Sequence, residues 1–333
     1  MSLQVLLSEV TGALSTRLPE LFDAQLVSAG PAVRPQQLLE TVRKLEPDLV
    51  LVELAGPPAD VQKAIEQVMA EAPVPVLLVV HSAAQRQTAF SMLGVGALDV
   101  MQLPQRLDAA ALSALRKQIV LLAQVTVVKH PRGRRRRTST RLPALRPAYP
   151  VVAVAASLGG PRALAELLAA VPQGFGAPIV VCQHITPGFS DDLARWLAAE
   201  TGLRVHEGAD GQPLVKGEVF IAPAHLHMHV TPGGALKLDD GPAVGGFKPA
   251  CDVLLRSVGQ AFGPRAIGVV LTGMGRDGAK GLKEIRARGG HTVAQDEASC
   301  VVFGMPKEAI AAGGVEKVLP LAQIAPQLVR WVG

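Results

Sequence analysis

Three polar residues, each placed just after an apolar run, are candidates for joint covalent chemistry. Ser157 lies in VVAVAASLGGPRAL, where a strand-like run breaks at Leu158-Gly159-Gly160 and a helix-like segment begins. A serine between a strand end and a helix start sits where backbone N–H groups and the helix dipole favour developing negative charge. Gly159 and Gly160 allow a sharp turn and the close approach of another group. A phosphate-cradling loop and a plain tight turn are the competing readings, although the stretch does not fit GxGxxG and no GxxxxGK[ST] occurs in the chain. His184 follows the next apolar run in VVCQHITPGF, and Asp277 follows another in GVVLTGMGRDGAKGL. Taken singly, His184 also fits a capping or surface histidine, and Asp277 fits the N-cap of a helix starting near Gly278. Taken together, they supply a nucleophile, a base and a carboxylate in the chain order Ser, His, Asp. That order differs from the Ser–Asp–His order of α/β-hydrolases.

Such residues converge only if their strands share one parallel sheet, whose carboxyl ends open on a single edge. The expected fold class is therefore α/β, with two doubly wound parallel-sheet domains. In residues 150–333, strands are expected at Val151–Ala155, Ile179–Cys182, Val219–Ile221, Ile267–Leu271 and Thr292–Ala294. Helices are expected at Pro161–Ala170, Ser190–Thr201, Cys251–Phe262, Gly278–Ala287 and Pro306–Ala312. Residues 1–125 show the same rhythm, with strands at Leu3–Leu7, Ala24–Ser28, Leu49–Leu54, Val74–Val80 and Asp99–Met101. Helices near Thr11–Leu21, Gln36–Leu45, Ala59–Glu71, Ala84–Leu93 and Ala109–Leu122 complete a flavodoxin-like count. Residues 126–149, rich in Pro and Arg, are expected to be a solvated linker.

Composition narrows the function classes. Of 333 residues 49% are apolar and 18% charged, enough to build cores and exclude wholesale disorder. Charged residues, Gly or Pro interrupt every apolar run before the roughly 20 residues of a spanning helix, so membrane insertion is not expected. The N-terminal residues carry no basic n-region of a secretory leader, which suits a cytoplasmic protein. Cys182, Cys251 and Cys300 form no paired spacing, so neither a disulfide framework nor a zinc ribbon is indicated. Lys and Arg total 33 against 28 Asp and Glu, but eight of the basic residues lie between Lys129 and Pro147, leaving 25 against 28 elsewhere. With 3% aromatic residues there are few stacking platforms, and nucleic acid is a weak reading of the charge. A tether is the simpler role for the basic stretch, and contact with RNA or an acidic surface is its rival. His225, His227 and His229 alternate as on a strand and are read as a solvated face in preference to a zinc site. Asp296 and Glu297 are adjacent loop residues whose side chains should point apart.

The stretches ASLGGP, QHITPGF, FKPACDVLL, VLTGMGRDGAKGL and AQDEASCVVFGMPKEAI extend across most of residues 151–312. In them the chain resembles the CheB-type chemoreceptor methylesterases, the protein-glutamate methylesterases of bacterial chemotaxis. The resemblance implies that Ser157 is the nucleophile, His184 the general base and Asp277 the carboxylate that orients it. It implies hydrolysis of glutamate γ-methyl esters on the cytoplasmic domains of methyl-accepting chemoreceptors, and deamidation of receptor glutamines through the same kind of intermediate. It places the oxyanion donors near the turn at Met274, puts His227 at a family histidine and makes Asp296 and Glu297 part of a structural segment bordering the cleft. No metal or organic cofactor is implied. Ala155 stands where the family usually has glycine and Leu158 where it has a hydroxyl residue, which points to an altered rate.

In that family the first domain is usually a response-regulator receiver, and the rhythm of residues 1–125 resembles one. A working receiver holds Mg²⁺ and a phosphoryl group with acids at the ends of its first and third strands, and carries a lysine after the fifth. Here those positions offer Ser8 with Glu9, then Glu53, then Leu103, and Ser82 remains as the hydroxyl. The expectation is a pseudo-receiver with Glu53 at a degenerate phosphoacceptor position, and an esterase that is either constitutive or controlled by protein contact. The rival classes are a catalytically weak scaffold that binds receptors or a chemotaxis histidine kinase, and a regulator acting through the basic linker.

Overall fold

The computed structural model describes residues 2–10, 13–18, 21–104, 108–125 and 149–333. The expected linker falls almost entirely outside these residues. The chain forms two compact units, 1–134 and 135–333.

The first unit has strands β1 (Leu3–Ser8), β2 (Leu26–Ser28), β3 (Leu49–Glu53), β4 (Val76–Val80) and β5 (Asp99–Gln102). Helices α1 (Ala13–Arg17), α2 (Leu38–Leu45), α3 (Pro58–Glu71), α4 (Ala83–Leu93) and α5 (Ala109–Leu122) connect or follow them. The strand order β2-β1-β3-β4-β5 is the flavodoxin-like one, with every pairing parallel. LVLVE in β3 and VLLVV in β4 are buried throughout, as strands covered by helices on both faces must be. Strand β2 is shorter than expected. β2 begins only at Leu26 because the Asp23 carboxylate accepts the N–H groups of Gln25 and Leu26, at 2.7 and 3.0 Å, and holds the chain in a turn. The expected helix Thr11–Leu21 lies partly outside the described residues, within which α1 spans Ala13–Arg17.

The second unit contains a seven-stranded sheet, all parallel, in the order β14-β13-β12-β6-β7-β9-β8. Its strands are β6 (Val151–Ala156), β7 (Ile179–Gln183), β8 (Arg204–Glu207), β9 (Glu218–Ile221), β12 (Ala266–Val270), β13 (His291–Gln295) and β14 (Lys317–Leu319). A hairpin of β10 (His227–Val230) and β11 (Leu236–Asp239) is inserted after β9. The helices are α6 (Gly160–Ala169), α7 (Ser190–Thr201), α8 (Cys251–Phe262), α9 (Ala279–Ala287), α10 (Met305–Ala311) and α11 (Leu321–Val332). α8 packs on β6, β10 and α9, where Leu254, Leu255 and Val258 join Val180, Phe220 and Val270 in the core.

The sequence pattern marks five of these seven strands and, through the alternating histidines, β10 of the hairpin, but not β11. The two omitted sheet strands, RVHE and KVL, lie at the edges and are only partly buried, so they lack the continuous apolar run that betrays a central strand. The reading of the histidines as a solvated face is corrected. His225 is exposed and precedes β10, whereas His227 is 2% exposed. Its Nδ1 accepts the Ala250 N–H at 3.2 Å and its Nε2 meets the Pro242 carbonyl at 3.1 Å, so both ring nitrogens are engaged by backbone.

The sheet has its switch point at β6. The chain leaves β6 toward β7 on one side and later returns as β12 on the other, which opens a crevice at the carboxyl ends of these strands.

Candidate active site

The register pairs Ala156 with Gln183, so the residues that follow, Ser157 and His184, stand abreast at the ends of adjacent strands. The backbone continues this pairing past the strands, with the His184 N–H donating to the Ala156 carbonyl at 3.0 Å. On the other side of β6, the Ser157 N–H donates to the Thr272 carbonyl at 3.1 Å, which ties the serine loop to the end of β12. The sharp turn after Ser157 depends on glycine. Gly159 has φ +74°, and a Cβ there would lie 2.5 Å from Val301. A Cβ on Gly160 would fall 2.0 Å from Gln183 Oε1.

His184 Nε2 and Asp277 Oδ2 are 2.8 Å apart. Both side chains are largely buried, at 10% and 5% exposure, so the pair is little screened by solvent. The Asp277 carboxylate also accepts the N–H groups of Cys251 (2.7 Å) and Asp252 (2.9 Å) at the start of α8. Asp252 in turn accepts the N–H groups of Gly278 (3.0 Å) and Gly281 (2.7 Å), locking the loop that carries Asp277 onto α8. Phe247 stacks flat on the His184 ring, with centroids 4.1 Å apart.

His184 Nδ1, on the opposite edge of the ring from Asp277, is buried and has no hydrogen-bond partner. Among the described residues no hydrogen bond joins Ser157 Oγ to His184. The structure thus couples His184 with Asp277 directly, and brings Ser157 beside them through strand register.

Burial lowers the proton affinity of His184, while the neighbouring Cys251 sulfur and the Asp277 carboxylate raise it; the balance is upward, to about 10. Burial also holds the Cys251 thiol well above its ordinary value. That sulfur is therefore neutral at neutral pH, and Asp277 is the partner that lifts the imidazole above its ordinary 6.5. For Asp277, burial pushes upward, but the His184 contact and the two amides outweigh it and hold the carboxyl below 3.8.

Other residues organise the site without having been singled out in the sequence. The Gln183 amide nitrogen donates to the carbonyls of both Ser157 (2.7 Å) and His184 (2.9 Å), bridging the two strand ends. Thr272 Oγ1 donates to the Leu158 carbonyl at 3.0 Å and accepts the Val302 N–H at 2.9 Å. Gln295 Oε1 accepts the Thr272 N–H, and Gln295 Nε2 donates to the Ser299 carbonyl. Asp296 accepts the backbone N–H and the hydroxyl of Ser299, so it shapes a turn. The turn at Met274 abuts the serine loop. A Cβ on Gly273 would lie 2.7 Å from Ser157 Cβ, and the Gly273 carbonyl accepts the N–H groups of Gly304 and Met305. The Met274 side chain itself is exposed. Ala155 is fully buried, with its Cβ close to Gly278, and Leu158 is buried as well.

In the first unit, Glu53 ends β3 at 1% exposure, and its carboxylate lies 2.9 Å from His81 Nε2. Glu9 accepts the N–H groups of Leu14 (2.7 Å) and Ser15 (3.1 Å), serving the start of α1. Ser8 and Leu103 are buried, while Ser82 is exposed and its N–H donates to Gln85.

Sequence comparison finds related proteins along nearly the whole chain. The family model described as CheB methylesterase matches residues 152–328. The protein-glutamate methylesterase FrzG of Myxococcus xanthus is 49% identical over 314 residues, covering 94% of this chain and 93% of that protein. A protein-glutamate methylesterase/protein-glutamine glutaminase of Anaeromyxobacter dehalogenans is 44% identical over 290 residues, covering 86% and 84%. Among solved structures, the CheB methylesterase catalytic domain of Thermotoga maritima superposes with a TM-score of 0.54 at 38% identity, over 56% of this chain and all of that one. With a family match across more than half its length and such relatives along nearly all of it, the chain belongs to the CheB methylesterase family.

Proposed function

We propose that this protein hydrolyses glutamate γ-methyl esters on the cytoplasmic domains of chemoreceptors, with Ser157, His184 and Asp277 as its catalytic residues. The observation that carries the reading is the His184–Asp277 pair, buried beside Ser157 at the switch point of the sheet, with one imidazole nitrogen still free. His184 Nε2–H donates to Asp277, which leaves Nδ1 to take the Ser157 proton as Oγ attacks the γ-carbonyl. The negative charge of the tetrahedral intermediate falls beside the Met274 turn, whose backbone N–H groups are the proposed oxyanion donors. The imidazolium then returns its proton to the departing methoxide, and methanol leaves. A water repeats the cycle on the acyl-enzyme, giving a glutamate carboxylate and free Ser157. A glutamine side chain enters the same sequence and releases ammonia.

This substrate implies a cytoplasmic reaction, and among the described residues no helix is long and apolar enough to cross a membrane. Residues 1–125 act as a pseudo-receiver and 126–149 as a tether. The pairing of Glu53 with His81, and the engagement of Glu9 at α1, support regulation by protein contact or constitutive activity. Acetyl phosphate with Mg²⁺ then leaves the esterase rate unchanged, and a Glu53-dependent increase refutes this part. For the enzyme, the decisive assay is methanol release from methylated receptor membranes. Ser157→Ala abolishes it while the melting temperature is retained; a folded Ser157→Ala protein that releases methanol at the original rate overturns the proposal.

A further inference from the structure

Cys182 and Cys251 are 69 residues apart in sequence, yet both are fully buried and meet at His184. We propose that Cys182 Sγ, Cys251 Sγ and His184 Nε2 form a site for a thiophilic metal ion such as Zn²⁺, and that its occupancy switches the hydrolase off. The switching half of this inference rests on the catalytic role given to His184 above.

The three donor atoms lie within 4.8 Å of one another. Cys251 Sγ and His184 Nε2 are 3.5 Å apart. In a tetrahedral zinc site with bonds of about 2.3 Å to sulfur and about 2.0–2.1 Å to nitrogen, a sulfur–nitrogen edge measures about 3.5–3.6 Å and a sulfur–sulfur edge about 3.8 Å. One edge therefore already has the bound length, and closing the others takes about 1 Å of movement. Asp277 Oδ2 is 2.8 Å from the same Nε2 but is not one of the three clustered donors, so the fourth position is left to water or another exogenous ligand. Two sulfurs and an imidazole favour Zn²⁺, Cd²⁺ or Cu⁺ over Mg²⁺ or Ca²⁺. The thiols have no part in the proposed ester hydrolysis, and Cys251 Sγ meets the Cys182 carbonyl at 3.5 Å, an ordinary thiol hydrogen bond that thiolate ligation would replace.

Binding has a definite chemical cost for the enzyme. Two thiol protons leave to solvent as the thiolates coordinate the ion, and where His184 is imidazolium its Nε2 proton leaves as well. The neutral imidazole gives its Nε2 lone pair to the metal, so its proton must reside on Nδ1. That nitrogen then no longer accepts the Ser157 proton, and the Nε2–H bond to Asp277 is gone.

The test uses the full chain, reduced and freed of metal, with Co²⁺ as the probe. Thiolate ligation gives sulfur-to-cobalt charge-transfer absorption in the near ultraviolet and intense tetrahedral bands in the visible. The expected result is saturation at one equivalent of Co²⁺, displacement by Zn²⁺, loss of methanol release on adding Zn²⁺, and recovery with EDTA. Cys182→Ala and Cys251→Ala each lose the bands and the Zn²⁺ sensitivity, read as the ratio of rates with and without metal in the same variant. Cys300→Ala retains both, and far-ultraviolet circular dichroism verifies that each variant is folded. Absence of thiolate–cobalt bands from the folded wild-type protein overturns the site. Equal Zn²⁺ inhibition of the wild type and both cysteine variants overturns the switch. The absorption needs no substrate, so a protein that binds Co²⁺ but never releases methanol refutes the hydrolase reading and leaves the metal site standing.

Discussion

Replacing Asp277 by asparagine tests the site at its most constrained point. The carboxylate faces three donors: His184 Nε2 and the Cys251 N–H at one oxygen, and the Asp252 N–H at the other. An amide of the same shape has only one acceptor oxygen. Turned toward His184, it sets its NH₂ against the Asp252 N–H; turned away, it sets the NH₂ against the Cys251 N–H and forces His184 to accept at Nε2. Either way one buried N–H loses its acceptor, a cost of about 1–3 kcal/mol. For a unit of about 200 residues that corresponds to a fall in Tm of about 2–4 °C per kcal/mol. The second orientation also moves the imidazole proton to Nδ1, and the corresponding loss in Ser-His-Asp hydrolases is about 10⁴-fold in kcat.

The pH dependence of the same variant has a definite sign. His184 is raised above 6.5, so its contact with Asp277 stabilises the fold fully below pH 6.5 and is lost as the pH rises through the folded value, at most about 10. Asp277 is depressed below 3.8, so its share is present above pH 3.8 and lost as the pH falls through the folded value. The stability gap between wild type and Asp277→Asn is therefore widest between the ordinary values of 3.8 and 6.5 and narrows toward alkaline pH. In the wild type the acid limb of kcat/KM lies above 6.5, because His184 must be neutral to act as a base. In Asp277→Asn any residual activity shows that limb shifted to lower pH. Methanol release across the pH range, together with thermal melts, gives both quantities. Unchanged rate and an unmoved acid limb in the variant refute the assignment of Asp277 as the partner of the base.

Gly160→Ala places a methyl 2.0 Å from Gln183 Oε1 and displaces the amide that bridges Ser157 and His184, so kcat falls more than KM rises in steady-state assays. Gln183→Met removes the amide that bridges the two strand ends; the Ser157 carbonyl keeps the Gly160 N–H at 2.8 Å, but the His184 carbonyl loses its donor, costing about 1–3 kcal/mol by chemical denaturation and lowering kcat as well. Asp252→Ala frees the N–H groups of Gly278 and Gly281, and the loosened Asp277 loop shows as faster amide exchange at those two glycines.

The sequence made the central strands legible because parallel strands covered on both faces must be apolar throughout, as VVAVAA and IVVCQ are. It also made Ser157, His184 and Asp277 legible, since each breaks such a run with a reactive side chain. Edge strands β8 and β14 escaped because partial burial lets polar residues into them. Gln183, Asp252 and Thr272 escaped for a different reason. Their roles consist of hydrogen bonds to backbone atoms of remote segments, and no local pattern encodes such partners. The same holds for the two cysteines, whose spacing of 69 residues conceals their meeting at His184. His227 was misread because alternation fixes which side of a strand a residue faces, not what lies opposite.

The corner of the first unit formed by Glu9, Glu53 and Leu103, read above as a pseudo-receiver, resists conversion. Shortening Glu53 to aspartate would not by itself rebuild an ion-binding corner, because Glu9 is committed to the first turn of α1 and Leu103 is packed in the interior. In the proposed pseudo-receiver, Glu9 and Leu103 both help hold the fold together, so replacing either alone sacrifices stability before it gains chemistry. For the proposed pseudo-receiver this works as a ratchet: a phosphorylatable site needs several simultaneous changes, while another means of control needs only one at a time.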